Sequence, residues 1–205
     1  MEKGKFIVFE GTDGSGKSTH ARILTEKLMG GGVDTFVTFE PTSFETGKLI
    51  RRYLSGEIEG DERTIAALFM ADRIEHLFNP EGILAYLDKG ITVISDRYYL
   101  SSLAYNCQSE GLEWVLSINQ RARETLRPDL TIFLDAPLER LEKRTANRVA
   151  KEIYEKSDVQ HIVRDRYFAA FEMLPDENIA IISTDRDKQL VSDDIWNNVR
   201  ELFER

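Results

Sequence analysis

The sequence predicts an α/β fold, a parallel five-stranded sheet flanked by helices, in a single domain of residues 1–205. Three observations predict it. Five short runs rich in Val, Ile and Phe alternate with longer amphipathic segments, the order expected of a parallel sheet covered by helices. The first of those runs passes straight into a glycine loop that opens a helix. The chain is 41% hydrophobic over 205 residues, enough for one core, and shows no repeat, low-complexity stretch or Pro/Gly/Ser linker to mark a boundary.

Taken in order, Lys5–Glu10 (KFIVFE) is the first strand and Ser18–Met29 the first helix. Thr35–Glu40 (TFVTFE) is the second strand, and Glu40–Arg51 leaves it as a loop with a helix after it. There Pro41 holds Glu40 extended and Gly47 frees the backbone. Glu62–Phe78 reads as a helix, Ile91–Ser95 as a strand, Leu112–Arg127 as a helix and Leu130–Asp135 as a strand. Ile153–Leu174, Ile179–Ser183 and Leu190–Phe203 complete the pattern as helix, strand and helix. Ligands on such sheets bind beyond the carboxyl ends of the strands. The segments beginning at Gly11, Glu40 and Asp96 all fall on that edge.

Composition narrows the partners. With 36 acidic against 27 basic residues, the formal charge is −9. A surface of that sign repels phosphodiester backbones, so no nucleic-acid partner is expected. Any phosphate site must then be a local gathering of Arg, Lys and backbone N–H groups. The single cysteine, Cys107, permits no internal disulfide and no cysteine-based metal cluster, which suits a reducing cytoplasm. The N-terminus has no apolar signal core. No apolar run approaches the ~20 residues needed to span a bilayer. The expectation is a soluble, cytoplasmic protein without a membrane partner.

GTDGSGKS, Gly11–Ser18, matches G-x-x-x-x-G-K-[ST] between a strand and a helix, the P-loop NTPase arrangement. The N–H groups of Gly11, Thr12, Asp13, Gly14, Ser15, Gly16, Lys17, Ser18 and Thr19 can converge on ATP phosphates at the positive end of the helix. Lys17 would reach the β- and γ-phosphates, and the Ser18 hydroxyl would hold Mg²⁺. Asp13 is unusual beside a phosphate cradle. It either accepts from a sugar hydroxyl, sits near the magnesium shell, or makes only local turn bonds.

Three further segments meet that loop at the ligand edge. In ISDRYYLSSLAYN, Asp96 can act on Mg²⁺ through water and Arg97 can grip a second phosphate in bidentate fashion. A salt bridge capping the strand is the alternative. If the segment continues as a helix, Arg97, Ser101 and Tyr105 share one face, with Ser102 beside them. In FMADRIEHL, Phe69, Arg73 and His76 also share a helical face. An aromatic with a guanidinium one turn away can stack a nucleobase and donate to its carbonyl edge. The alternative is Phe69 in the core and Arg73 paired at the surface with Asp72 or Glu75. EPTSFETGKLIR supplies Glu40, Pro41 and a second arginine, Arg51, suited to a phosphate acceptor.

Together FEGTDGSGKST, EPTSFETGKLIR, LFMADRIEHL, DRYYLSSLAY and PDLTIFLDAPLE resemble the thymidylate kinase family in order and over essentially the whole chain. The resemblance implies ATP-dependent phosphorylation of dTMP to dTDP with Mg²⁺, by in-line transfer, in a homodimer. It implies that Phe69 stacks on thymine and Arg73 bonds its carbonyl, with Ser102 facing the base. Tyr105 would crowd the sugar 2′ position, Asp13 would bind the 3′-hydroxyl, and Arg97 and Arg51 would hold the monophosphate. Phe39, Thr42, Ser43 and Asn106 depart from the arginine, paired glycines and glutamine usual in the family. Gly14 stands where some members carry a P-loop arginine. The chain therefore resembles those members that rely on a mobile helical lid, here about residues 141–156, with Arg144, Arg148 and Lys151 as its basic candidates. A solvated helix face explains those charges equally well.

Kinases for another monophosphate or for a deoxynucleoside are the nearest rivals. A GTPase switch would carry an Asn-Lys-x-Asp element, which is absent from the sequence. A non-catalytic ATP-binding protein would have no need of Lys17, Ser18, Asp96 and Arg97 together.

Overall fold

The computed structural model describes residues 3–137 and 157–204. All five strands are parallel: β1 (Phe6–Glu10), β2 (Thr35–Phe39), β3 (Thr92–Asp96), β4 (Leu130–Asp135) and β5 (Ile179–Ser183), in the spatial order β2-β3-β1-β4-β5. The described helices are α1 (Lys17–Gly30), α2 (Glu45–Leu54), α3 (Glu62–Phe78), α4 (Ile83–Leu87), α5 (Tyr99–Tyr105), α6 (Gly111–Thr125), α7 (Ser157–Met173) and α8 (Lys188–Arg200). The expected α/β fold and its five strands are present.

β1 lies at the centre, and all five of its residues are buried. Successive side chains of a strand point to opposite faces, and β1 divides the core accordingly. Phe6 and Val8 pack with Leu77, Leu103, Phe133, Val163 and Tyr167 beneath the helices α2, α3, α5, α6 and α7. Ile7 and Phe9 pack with Leu24, Leu28, Ile94, Ile195 and Val199 beneath α1 and α8. Each such fully buried aliphatic or aromatic side chain is worth about 1.5–3 kcal/mol relative to exposure. The apolar runs of β1, β3 and β4 are buried. The runs of β2 and β5, also expected to be buried strands, instead lie at the sheet edges and expose Val37, Phe39 and Ile181.

Several boundaries differ from the sequence reading by one to three residues. Val93 N–H still donates to Lys5 O (2.8 Å) and Glu40 N–H to Asp96 O (3.0 Å), so the ladders reach beyond the regular strands. The four-residue start of the expected helix Ile153–Leu174 and the expected lid, with Arg144, Arg148 and Lys151, lie outside the described residues.

Register positions the site. β1 pairs with β3 so that Phe9 stands beside Asp96, and β2 pairs with β3 so that Phe39 stands beside the same Asp96. The loop after β1, the turn after β2 and the turn after β3 therefore leave the sheet side by side.

Candidate active site

Gly11 begins the P-loop with φ +140°, outside the range that L side chains readily adopt. A Cβ there would also lie 2.7 Å from Leu134 O. The loop closes on its own lysine: Lys17 Nζ donates to Gly11 O (3.0 Å) and Thr12 O (3.1 Å). Burial and the nearby Arg97 charge hold the Lys17 ammonium below its ordinary pKa, against the carboxylates Asp96, Asp13 and Glu10. Inside the loop the Ser15 hydroxyl is buried with no hydrogen-bond partner. A buried polar group of that kind costs free energy unless a ligand or local shift satisfies it.

Ser18 Oγ donates to Asp96 Oδ2 at 2.6 Å. This joins the first residues of α1 to the end of β3 and brings together the two residues expected near Mg²⁺. Two hard oxygen donors side by side suit Mg²⁺, which prefers oxygen and keeps most of its ligands as water or substrate phosphate. Among the described residues no group of three or more His, Cys, Asp or Glu side chains could hold a metal. Mg²⁺ at this position would therefore depend on phosphate oxygens for the rest of its shell.

Arg97 follows directly and has φ +77°, the one non-glycine with positive φ among the described residues. Such a conformation persists where its surroundings determine it. Arg97 N–H donates to Phe9 O (2.9 Å), and Arg97 O accepts from Ser95 Oγ (2.7 Å). The side chain is also fixed: Nη1 donates to Ser101 Oγ (3.0 Å), and Nη2 to Asp13 Oδ1 (2.5 Å) and the Tyr105 hydroxyl (3.3 Å). The expected face of Arg97, Ser101 and Tyr105 thus exists. Asp96 and Arg97 do not pair with each other, because each turns to a P-loop residue. Burial works to raise the Asp13 carboxyl pKa, but the Arg97 and Lys17 charges with bonds from Arg97 and Tyr105 hold it below the usual range.

Two cavities adjoin here. The larger, about 610 Å³, runs along the P-loop from Arg51 and Phe39 to Thr184, Arg186 and Lys188 beyond β5. The smaller, about 90 Å³, is walled by Phe69, Leu54, Ser102, Tyr105 and Asn106. Asp13, Pro41 and Arg97 line both. The first can take a nucleotide whose phosphates lie on the loop, and the second a flat, half-apolar group.

Glu40 lines the larger cavity, but its carboxylate is taken up by buried partners. It and Arg73 are each only 1% exposed. Glu40 Oε2 accepts from Arg73 Nε (2.9 Å) and Nη2 (2.6 Å), and Oε1 meets His76 Nδ1 at 3.1 Å. Burial pushes the Glu40 carboxyl up, but Arg73 and His76 together outweigh it and leave the pKa below the ordinary value. Arg73 therefore has no surface pair with Asp72 or Glu75. Its remaining donors go to Tyr98 O (3.1 Å), Ser102 Oγ (3.0 Å) and Asn119 Oδ1. Ser102, whose Oγ accepts from Arg73, also lines the smaller cavity. Pro41 follows a cis peptide bond.

The Thr42–Thr46 turn over the cavities is pinned by buried Asp72, which accepts from Thr42 N–H (2.8 Å), Thr42 Oγ1 (2.6 Å) and Thr46 Oγ1 (2.8 Å). Arg51 Nη1 donates to Thr42 O (2.6 Å) and Nη2 to Pro41 O, and its guanidinium lies 5.7 Å from the Phe39 ring. Gly47 is required because a Cβ there would meet Thr42 O at 2.0 Å.

Sequence reasoning missed Glu10, Asp72, Asn119 and Tyr167, and the cavity wall at Thr184, Arg186 and Lys188. A carboxylate ending an otherwise apolar buried strand was a usable signal for Glu10, since buried acids need partners. The helical residues carry no such signal. Their partners within the site are tens of residues away.

A sequence model of the thymidylate kinase family matches residues 9–195. The chain is 40% identical over 211 residues to a protein named probable thymidylate kinase from Thermococcus onnurineus, covering 97% of each chain. It is 41% identical over 184 residues to one of the same name from Pyrococcus horikoshii, covering 86% of this chain and 87% of that one. A third, from Methanocaldococcus jannaschii, is 40% identical over 185 residues, covering 90% and 89%.

Proposed function

As the chain belongs to the thymidylate kinase family, we propose that its larger cavity holds ATP with the phosphates on the P-loop and its smaller one the base of dTMP. The enzyme transfers the γ-phosphoryl group of ATP to dTMP, giving ADP and dTDP. A dTMP phosphate oxygen forms the new P–O bond while the bond from γ-phosphorus to the β–γ bridging oxygen breaks. One observation carries the placement: Asp13, Pro41 and Arg97 line both cavities, so a phosphate held by Arg97 lies between donor and acceptor sites.

Phosphoryl transfer needs positioning and charge neutralisation more than covalent help. Lys17 exchanges its bonds with Gly11 O and Thr12 O for β- and γ-phosphate oxygens. The loop N–H groups of Gly14–Thr19 hold the chain of phosphates. Arg97 orients the acceptor phosphate, and Arg51 joins it by leaving the carbonyls of Pro41 and Thr42. Phe69 offers its ring to thymine, and the Ser102 hydroxyl, bonded to Arg73, faces the base edge. Tyr105 and Asp13 stand at the sugar, against the 2′ position and the 3′-hydroxyl. Ser18 and Asp96 would hold Mg²⁺, which supplies neutralisation of phosphate charge. Arg144 and Arg148 belong to the same reading as lid cations that exclude water on closure.

The buried, unpaired Cys107 supports a cytoplasmic setting. No helix among the described residues is long and apolar enough to cross a membrane. A homodimer through the α3 face, where Phe78 is 50% exposed, is also part of the proposal. A monomer throughout the micromolar range in sedimentation would reject that part. The central test is ATP consumption with dTMP, dUMP, dCMP, dGMP, AMP and thymidine side by side. dTMP should give the highest kcat/KM, and a clear preference for another acceptor would overturn the reading.

A further inference from the structure

Glu10 closes β1 with a carboxylate of 0% exposure that the reaction as described does not use. Oε1 accepts from Tyr98 N–H (2.9 Å) and Ser101 N–H (3.2 Å). Oε2 accepts from Ser101 Oγ (2.5 Å) and the Tyr167 hydroxyl (2.8 Å). Ser101 Oγ in turn accepts from Arg97 Nη1 (3.0 Å). A directed chain results, in which the guanidinium donates to a hydroxyl and the hydroxyl donates to a buried carboxylate. The other terminal nitrogen, Nη2, points forward to Asp13 and Tyr105.

Arg97 is thus held from two sides by different means. Its front contacts, on the cavity wall, are the ones an incoming phosphate displaces or shares. Its contact with Ser101, which also lines the smaller cavity, is backed by the buried Glu10 and Tyr98. We propose that Glu10 is a positioning residue for acceptor binding, holding Arg97 at the mouth between the two cavities through Ser101, an inference that rests on the assignment of Arg97 to the dTMP phosphate. The two oxygens divide the work. Oε1 fixes the backbone that enters α5, and Oε2 sets the direction of the Ser101 hydroxyl so that its lone pair faces Arg97.

That division makes the proposal testable without dismantling the fold. In Glu10→Gln the amide oxygen keeps the two backbone N–H bonds, and the NH₂ group falls opposite Ser101 and Tyr167. The hydroxyl of Ser101 loses its anionic acceptor, and its oxygen must accept from the new amide as well as from Arg97. Ser101→Ala removes the same link from its middle. Tyr167→Phe removes a hydroxyl that touches Glu10 and Ser101 (2.9 Å from Ser101 Oγ) but makes no hydrogen bond to Arg97.

Steady-state kinetics with each substrate titrated separately, and thermal unfolding of every variant, decide the matter. Glu10→Gln and Ser101→Ala should each raise the KM for dTMP about tenfold, as loss of a charge-assisted contact does, with the KM for ATP within about twofold. The double variant should be no worse than the poorer single, because both act along one chain. Tyr167→Phe should leave the KM for dTMP within about twofold. An unchanged KM for dTMP in Ser101→Ala overturns the proposal, as do equal rises for ATP and dTMP or fold-changes that multiply in the double variant. A wild-type enzyme without dTMP-dependent ATP consumption would instead sink the functional reading itself.

Discussion

Removing the Glu40 carboxylate should destabilise the enzyme sharply, although Glu40 lies beside the substrate cleft. Arg73 uses all five guanidinium N–H groups, two of them on Glu40 Oε2, and neither side chain is more than 1% exposed. Glu40→Ala leaves a buried cation with two orphaned donors, and breaking a buried pair in this way costs about 3–5 kcal/mol. For a chain of this length each kcal/mol lowers Tm by roughly 2–4 °C, so the melting point should fall by about 6–20 °C. The double replacement Glu40→Leu with Arg73→Met exchanges the pair for apolar volume and should recover much of the loss. The pH dependence has a definite sign. The Glu40 pKa is depressed in the fold, so its stabilisation is fully present above the unfolded-state value, about 4.3 for glutamate, and fades as pH falls through the folded value. Glu40→Gln should therefore flatten the acid side of the stability curve relative to wild type. Calorimetry from neutral pH downward measures both effects. A Tm change under about 2 °C for Glu40→Ala would refute the reasoning, since the pair would then contribute less than ~1 kcal/mol.

Three shorter predictions accompany it. Lys17→Ala should lower kcat by at least about a hundredfold, as loss of a preorganised cation does, with little change in Tm; wild-type turnover at saturating ATP would remove Lys17 from the γ-phosphate. Tyr105→Ala should relax the preference for dTMP over its ribonucleotide by about tenfold, because bulk and an unpaired hydroxyl oppose the wrong sugar by roughly 1–3 kcal/mol. An unchanged ratio with a lowered Tm would show that the ring only packs. Gly47→Ala, whose Cβ would meet Thr42 O at 2.0 Å, should cost about 1–3 kcal/mol of stability and weaken dTMP binding by shifting the turn whose carbonyls Arg51 holds; a melt and a dTMP titration indistinguishable from wild type would contradict the geometry.

Much of this protein was legible from the chain alone wherever information is local. Short apolar runs alternating with amphipathic helices name a parallel sheet, and the P-loop pattern needs only a strand before it and a helix after it. The face of Arg97, Ser101 and Tyr105 was readable because residues four apart on a helix are neighbours, although the helix begins only at Tyr99. The same rule placed Phe69, Arg73 and His76 on one side of α3 but could not say what that side met. Arg73 faces a carboxylate 33 positions away and an asparagine 46 away; Glu10 reaches Ser101 across 91 positions and Tyr167 across 157. Such partners are selected by strand order and register, which bring Phe9, Phe39 and Asp96 abreast, and by the desolvation that obliges each buried charge to find a bond. The chain alone determined the fold class and named Lys17, Arg97 and Arg51 as candidates for holding phosphate. Only the tertiary structure decided which residues aim them, because a buried charge takes its partner from whatever the packed sheet places within hydrogen-bond reach.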